Sequence, residues 1–294
     1  MRFGVVAIEF IPAVERIVAG GTPDFSRINL VEIVQEAVEI EHIRVVEIPM
    51  EIEQMVPGSL TPEVISRLAD LKEELGHSYT VHLPFWSIEL STFNETIRSA
   101  SVDSIVHSIE LAEELAPEIY VLHSTGSLAA EYTKQGFAES MNLLVCGYMT
   151  SFAMKSVEEI VTKSEIDPYK LALENVEFPF DFTRDVVDEF NTGVCFDTGH
   201  MLTKQSGDET LSEFYRKHRD RITEIHLNDG VVEKNEAGGY QDHLVLGRGE
   251  MPVRDFLMEL IKDKFEGPLI FELTTEETVE SLDKIRDVVP EALR

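Results

Sequence analysis

The residues with the clearest chemical potential lie between Thr192 and His200. A short apolar run from Val194 to Phe196 ends at Asp197, and His200 follows three residues later. The Thr-Gly pair between them allows the backbone to turn sharply. A buried strand that ends in a carboxylate and then turns to present an imidazole places two types of metal ligand at one strand end. The chain repeats this arrangement at almost every predicted strand.

The other predicted strands also end at residues that can bind metal ions or protons. In chain order, the strand ends are Glu9 or Phe10, Glu47, His82, His123, Glu174, Asp197 followed by His200, His226 followed by Asp229, and Glu272. A further histidine, His243, lies in the long polar loop 228–250 after the seventh strand. The remaining histidines are interpreted as ordinary surface residues: His42, His77, His107 and His218.

Short β-branched runs alternate with longer amphipathic segments along the chain, which predicts strands alternating with helices. We expect strands at 2–8, 44–48, 78–83, 118–122, 170–173, 193–196, 221–227 and 268–271. The long helical segment 130–163 is expected to break near Gly147 or Ser151. Residues 274–277 resemble a capping box that begins the last helix.

The number and type of these elements predict the fold class. Near-continuously apolar strands that alternate with helices are typical of a parallel sheet covered by helices. For 294 residues, we predict an α/β protein with one domain over 1–294, a single (β/α)8 TIM barrel. A doubly wound open sheet is the alternative, but Gly20-Gly21 comes too late and lacks the GxGxxG spacing of a dinucleotide loop. In a barrel, the ionisable strand ends would meet at one mouth.

Five histidines and three carboxylates at one mouth indicate a divalent metal site. Without a counter-ion the carboxylates would repel one another and their pKa values would rise. Mixed imidazole and carboxylate ligands suit Zn²⁺, Mn²⁺ or Fe²⁺. Each histidine alone could equally be a core imidazole bonded to backbone, so the prediction depends on their convergence.

Charge and cysteine content restrict the partners and the compartment. The formal net charge is -30, and the predicted mouth loops 50–61 and 85–94 contain no Lys or Arg. This argues against nucleic acid, because affinity for it comes largely from neutralising phosphates. The 2 cysteines are far apart, and we see no charged leader, long apolar run or membrane-span-length segment. We therefore expect a cytoplasmic protein that acts on a small molecule, without a membrane partner.

Seven short motifs occur in the order found in the xylose isomerase-like TIM barrels, which include endonuclease IV and the sugar isomerases and epimerases. They are Val81-His82-Leu83-Pro84, Leu122-His123-Ser-Thr-Gly126, Leu173-Glu174-Asn175, Phe196-Asp197-Thr-Gly-His200, Ile225-His226-Leu-Asn-Asp229, Asp242-His243-Leu-Val-Leu-Gly-Arg-Gly249 and Phe271-Glu272. Each motif alone is weak, but seven in order are specific. The chain resembles this family from Phe3 to the last helix.

Resemblance to the endonuclease IV branch implies three zinc ions and a hydrolase. The implied ligands are His82, His123, Glu174, Asp197, His200, His226, His243 and Glu272. That branch has an Asp two residues before His243, whereas this chain has Gln241 there and the acid displaced to Asp242. Asp242 could serve the third ion if the loop shifts. The lead hypothesis is hydrolysis of a small phosphoester, not of DNA, with Glu174 bridging two ions.

Resemblance to the isomerase and epimerase branch implies a different enzyme. One metal ion would be held by Glu174, Asp197, His226 and Glu272, and the two glutamates would move protons at a carbon next to a carbonyl. All four residues are present, so these residues do not separate the branches, and one to three Zn²⁺ or Mn²⁺ ions are expected. The histidine pair at 82 and 123 favours the hydrolase, because a one-metal isomerase does not need it.

A narrower variant of the hydrolase hypothesis and a separate non-catalytic hypothesis complete the possibilities. Residues 79–84 and 117–123 are faintly similar to the cobamide-remodelling phosphodiesterases of this superfamily. A non-catalytic solute or metal sensor would bind its ligand without turnover.

Four further residues are expected to bind the substrate. Glu47 would face the mouth as a hydrogen-bond partner or a rim charge. Trp86, next to Phe85, could form an apolar wall for a ring, or pack beneath its loop. Asp229 follows the seventh strand. Arg248, between two glycines, is a candidate anion clamp or an ordinary surface arginine.

Overall fold

Eight parallel strands close into a barrel, which confirms the predicted TIM barrel. The computed structural model describes residues 1–8, 10–135, 138–235 and 238–294, without the side chains of Phe10 and Ile11. Glu9, a candidate for the first strand end, lies outside these residues. The strands are β1 (Arg2–Val6), β2 (Ile43–Pro49), β3 (Ser78–His82), β4 (Tyr120–Leu122), β5 (Leu171–Glu174), β6 (Gly193–Asp197), β7 (Ile222–His226), β8 (Asp229–Val231), β9 (Gln241–Leu244) and β10 (Pro268–Phe271). Around the barrel the order is β1-β10-β7-β6-β5-β4-β3-β2.

The helices surround the barrel and fill the connections between strands. They are α1 (Phe10–Val18), α2 (Leu30–Glu39), α3 (Glu51–Met55), α4 (Pro62–Leu75), α5 (Glu95–Ala112), α6 (Ser127–Thr133), α7 (Glu139–Ser164), α8 (Phe180–Phe190), α9 (Thr198–Leu202), α10 (Leu211–His218), α11 (Val253–Asp263) and α12 (Thr275–Val288). The predicted capping box is confirmed, because Thr274 and Glu277 exchange side-chain to backbone bonds at the start of α12. Among the helices of the described residues, none combines the length and apolarity needed to cross a membrane.

Two connections differ from the sequence prediction. The expected break near Gly147 or Ser151 is wrong, because α7 runs through both residues and the interruption lies between Thr133 and Glu139. A glycine weakens a helix by about 1 kcal/mol, which the buried face of α7 on α5 and α8 can outweigh. The loop predicted at 228–250 contains an antiparallel hairpin, formed by β8 and β9.

Two histidines interpreted as surface residues are buried. His77 packs edge-on against Tyr79, with ring centroids 4.7 Å apart. His218 packs against Phe180 and Phe214 at the end of α10. Both imidazoles belong to the apolar layer between barrel and helices, and burial lowers the pKa of each.

Candidate metal centre

The carboxyl ends of the barrel strands, together with α9 and the β8–β9 hairpin, bring all eight predicted ligands together. β3, β5, β6 and β7 end at His82, Glu174, Asp197 and His226, while His123 and Glu272 directly follow β4 and β10. In four groups, the ligand atoms of three residues lie within 4.8 Å of one another: His82, His123 and Glu174; Glu174, Cys195 and His226; Asp197, His200 and His243; Glu47, His226 and Glu272. The convergence follows from the parallel register, which places every strand end at the same mouth.

Glu174 lies at the centre of these groups, and its two oxygens face different histidines. Its Oε2 is 2.8 Å from His123 Nε2 and 3.4 Å from His82 Nε2. Its Oε1 is 3.2 Å from His200 Nδ1 and 3.6 Å from His226 Nδ1. A buried carboxylate whose oxygens face two separate ligand sets can bridge two cations.

A second ligand set surrounds Nδ1 of His226. This nitrogen is 3.2 Å from Glu272 Oε2 and 3.8 Å from Asp197 Oδ2. Asn228 Nδ2 donates to the same two carboxylate oxygens, each at 3.1 Å. The backbone N–H of Asp197 donates to Asn175 Oδ1 at 2.7 Å. The two asparagines therefore hold the strand ends in place.

Both asparagines belong to the sequence motifs, but the sequence alone indicated no role for them. Such second-layer contacts to ligands depend on the closure of the barrel, which the spacing of the motifs does not specify.

A third ligand set joins helix α9 to the β8–β9 hairpin. Asp197 caps α9 by accepting from the His200 backbone N–H at 2.6 Å. Asp242 Oδ2 is 3.8 Å from His200 Nε2, and Asp242 Oδ1 is 3.2 Å from His243 Nδ1. Asp242 therefore lies between the two histidines although Gln241 occupies the position where the resemblance expects an acid. Gln241 instead donates to the carbonyl of Glu233.

The buried carboxylates make the electrostatic potential of the centre strongly negative. Burial favours neutral His82, but the Glu174 hydrogen bond and the charges of Glu47, Glu174 and Glu51 raise its pKa to about 10. At His200, Asp197 and Glu174 overcome burial in the same way and raise the pKa to about 9. The surrounding anions therefore stabilise the protonated form of both imidazoles.

Two further observations agree that the donor set fits a divalent cation. Burial raises the pKa of Asp197 to about 6. The charge of His200 opposes this rise in pKa, and the negative charge of Glu272 adds to it. Among the described residues, neither ring nitrogen of the fully buried His226 makes a hydrogen bond of acceptable geometry. A cation would relieve both the repulsion and the missing contact. Imidazole and carboxylate donors suit Zn²⁺ or Mn²⁺.

The expected substrate-binding residues lie in three different environments. Glu47 is fully buried beneath the centre, so it is not a rim charge. Asp229 is also buried, and its carboxylate accepts from the backbone N–H groups of Gly230, Gly247, Gly249 and Met251. With four bonds already made, this carboxylate anchors the loop 245–251 to the hairpin.

Arg248 also differs from expectation, since its guanidinium pairs with Glu280 of α12 at 3.0 and 2.5 Å. It lines neither cavity beside the centre. The ion pair and the position outside both cavities favour the surface alternative over the anion clamp. Trp86 remains half-exposed and lines both cavities with Phe85, as a wall for a ring would.

Two cavities of different character open beside the metal ligands. One, of about 160 Å³, is lined by His82, His243, Glu272, Glu51 and apolar residues that include Ile52, Met55, Phe85 and Trp86. The other, of about 420 Å³, has more polar groups in its lining, including Thr125, Ser127, Glu177, Gln205 and Asp242, beside apolar residues such as Phe85 and Trp86. Neither cavity is lined by Lys or Arg within the described ranges.

Sequence reasoning missed a buried carboxylate inside the barrel. Glu224 of β7 is fully buried, and burial together with the charge of Glu47 raises its pKa to about 8. The available signal was an acidic residue two positions before His226, because alternate residues of a strand share one face. Cys195, two positions before Asp197, lies in the same interior, and burial raises its thiol pKa well above the ordinary value.

Comparison with known proteins agrees with this fold. A family model described as xylose isomerase-like TIM barrel matches residues 34–289. The chain is 25% identical over 225 residues to an uncharacterised protein of Methanocaldococcus jannaschii, covering 72% of this chain and 70% of that protein.

Solved structures of similar fold include proteins of both branches. A D-tagatose 3-epimerase-like protein superposes with a TM-score of 0.71 at 23% identity, covering 99% of this chain and 98% of that one. Endonuclease IV from Thermus thermophilus superposes with a TM-score of 0.64 at 20% identity, covering 98% of each chain. Since the family model spans most of the chain and the barrel superposes over its full length, this protein belongs to the xylose isomerase-like TIM barrel family.

Proposed function

We propose that this protein is a divalent-metal-dependent hydrolase of a small phosphoester. The observation that carries the proposal is the position of Glu174. Its Oε2 faces His82 and His123, while its Oε1 faces His200 and His226. A one-metal isomerase would leave one oxygen of this glutamate free to move a proton, whereas here both oxygens face ligand sets.

The chain would hold the ions through the three ligand sets described above. His82 and His123 would bind the first ion, and Asp197, His226 and Glu272 the second, with Glu174 shared. His200, His243 and Asp242 would bind a third. Bound divalent ions would activate a water molecule and stabilise negative charge on the attacked phosphoryl group. Glu174 and Glu272 orient the reacting groups between these sets, so we propose them as catalytic residues.

The cavities support a substrate with one apolar part and one polar part. An apolar cavity of about 150 Å³ can hold a benzene ring, and the smaller cavity has about 160 Å³. Lys and Arg are absent from both linings within the described part of the chain, so only metal ions would neutralise phosphate there. We therefore propose a small phosphoester with a ring or short alkyl group rather than a nucleic acid.

Metal content tests this proposal directly. Protein purified without chelator should contain two or three ions per chain by plasma mass spectrometry, and His82→Ala should remove one. Glu174→Gln should lower the hydrolysis rate of bis(p-nitrophenyl) phosphate by about 10²-fold or more, because one neutral amide replaces a shared anionic ligand. Arg248→Ala is a matched control at an exposed pair, and should retain full metal content and activity.

A sugar or keto-acid isomerase or epimerase is the second candidate. It is favoured by one observation: Glu174, Asp197 and Glu272 all approach Nδ1 of His226, at 3.6, 3.8 and 3.2 Å, so one ion could bind there alone. Two results together would establish this candidate and overturn the hydrolase. The chain would contain a single ion that remains in His82→Ala, and deuterium from the solvent would enter a sugar substrate.

A further inference from the structure

Two carboxylates lie inside the barrel beneath the candidate metal centre. Glu224 is two residues before His226 on β7, so both side chains point to the interior. Glu47 reaches the same place from β2, across the barrel. Both glutamates are fully buried. None of the proposed chemistry uses them.

The imidazole of His226 separates these carboxylates from the metal ligands. Its Nδ1 faces Glu272, Glu174 and Asp197 above. Its Nε2 faces downward and lies 3.5 Å from Glu47 Oε1 and 3.8 Å from Glu224 Oε1. The two nitrogens therefore face two different sets of carboxyl groups.

The lower set contains buried polar atoms that lack partners. Within the described residues, both oxygens of Glu224, Oε1 of Glu47 and both nitrogens of His226 make no hydrogen bond. Glu47 Oε2 alone is satisfied, by Thr80 Oγ1 at 3.2 Å. Buried polar atoms are nearly always paired. At 3.5 and 3.8 Å, Glu47 and Glu224 lie just beyond the length of an N–H···O bond from Nε2 of His226, so a closer approach of either carboxyl group would complete one.

We propose that Glu224, assisted by Glu47, is a positioning residue that accepts the Nε2–H of His226 and so directs Nδ1 to the metal. A ligating histidine commonly donates its other ring N–H to a carboxylate, which fixes the tautomer and the ring orientation. This inference rests on the metal centre proposed above and assigns Glu224 no contact with the substrate.

The test compares metal affinity with the stability of the metal-free chain. In Glu224→Met, which keeps the volume and removes the acceptor, Zn²⁺ affinity measured against a chromophoric chelator should fall about 10- to 100-fold. The melting temperature of the metal-free protein should stay the same or rise, because an unpaired buried carboxylate has been removed. Glu224→Gln keeps an acceptor oxygen and should recover most of the affinity.

Thr223→Val is the matched control. Thr223 is the neighbouring residue on β7, and its Oγ1 is also buried without a partner among the described residues, but it does not face His226. This variant should leave Zn²⁺ affinity unchanged. If Glu224→Met does not fold, Glu47→Met carries the same test, because Glu47 approaches the same nitrogen.

Three outcomes would overturn the inference, and a fourth concerns the proposed function. Unchanged Zn²⁺ affinity in Glu224→Met, or loss of affinity only in step with loss of metal-free stability, would make Glu224 a structural residue. If Glu224→Gln binds Zn²⁺ no more tightly than Glu224→Met, the proposed hydrogen bond is excluded. If His226→Ala also leaves Zn²⁺ binding unchanged, the metal centre itself is wrong.

Discussion

Two histidines of the centre have a ring nitrogen within hydrogen-bonding distance of a backbone carbonyl. His82 Nδ1 lies 3.0 Å from the carbonyl of Leu83, and His200 Nδ1 lies 3.2 Å from that of Asn175. Nε2 faces Glu174 in His82 and Asp242 in His200, and it carries the lone pair for a metal ion once its proton has left. The backbone contact thus fixes the orientation of each ring.

The raised pKa values predict that metal uptake releases protons. His82 and His200, with pKa values of about 10 and 9, are protonated at neutral pH in the metal-free chain and must lose a proton to bind an ion. Zn²⁺ affinity should therefore increase between roughly pH 6 and 8. Calorimetric titrations in two buffers of different ionisation enthalpy measure the proton release directly.

His82→Ala provides the control for this pH dependence, and it should release fewer protons than the unmodified chain. An affinity that stays flat over the same pH range would show that the imidazoles are already neutral.

At the scale of elements, the centre depends on the contact between α9 and the β8–β9 hairpin. A Cβ placed on Gly199 would lie 1.8 Å from the backbone oxygen of Asp242. The absence of a side chain at this position therefore lets the hairpin approach closely enough to bring Asp242 and His243 over the strand ends. The third ligand set exists only because of this approach.

Gly199→Ala should displace the hairpin, because a methyl group cannot occupy the position of a backbone oxygen. We expect the loss of one ion per chain, while the ion at His82, His123 and Glu174 remains. Metal analysis together with a crystal structure of the variant would measure both effects.

Gly207→Ala is a suitable control, since a Cβ at Gly207 meets nothing within 4 Å. It should retain the full metal content. Full metal content in Gly199→Ala as well would show that metal binding does not depend on the position of the hairpin.

The barrel could be predicted from sequence because its strands are apolar runs that end at an ionisable residue, as Val194 to Asp197 do. The hairpin could not, because β8 and β9 are short and polar, and the loop packed on it is held by Asp229 bonds to the distant backbone N–H groups of Gly247 and Gly249. The ion pair of Arg248 was unpredictable for a similar reason, since its partner Glu280 lies in the last helix. Ionisable residues at strand ends were predictable, whereas the buried Glu224 within a strand and the contacts made by the closing loops were not.

At the scale of the whole molecule, the chain has a formal net charge of -30. The two cavities at the mouth have no Lys or Arg among their described lining residues. Surface cations instead join helices, as Lys163 joins α7 to Asp103 of α5. Arg98, nearly fully buried, binds Ser156 and Glu159 of α7 at 3.1 and 2.7 Å. These cations are committed to holding the helical layer together.

The charge distribution predicts that an abasic DNA duplex does not bind. Non-specific DNA binders reach dissociation constants of about 10⁻⁴ to 10⁻⁶ M at physiological salt through phosphate neutralisation. Fluorescence anisotropy with a labelled abasic duplex should show no binding at protein concentrations of about 10⁻⁵ M. Tight binding that weakens steeply with added salt would reveal a nucleic-acid site and would reopen DNA as a substrate.

The ligands of the candidate centre come from two separable sources. One group belongs to the rim of the barrel, whereas Asp242 and His243 belong to an appended hairpin seated on Gly199. An insertion, deletion or repacking of that appendage would change how many ions are bound without disturbing the scaffold. Relatives with the same barrel could thus diverge in nuclearity, and with it in chemistry, by remodelling a single surface connection.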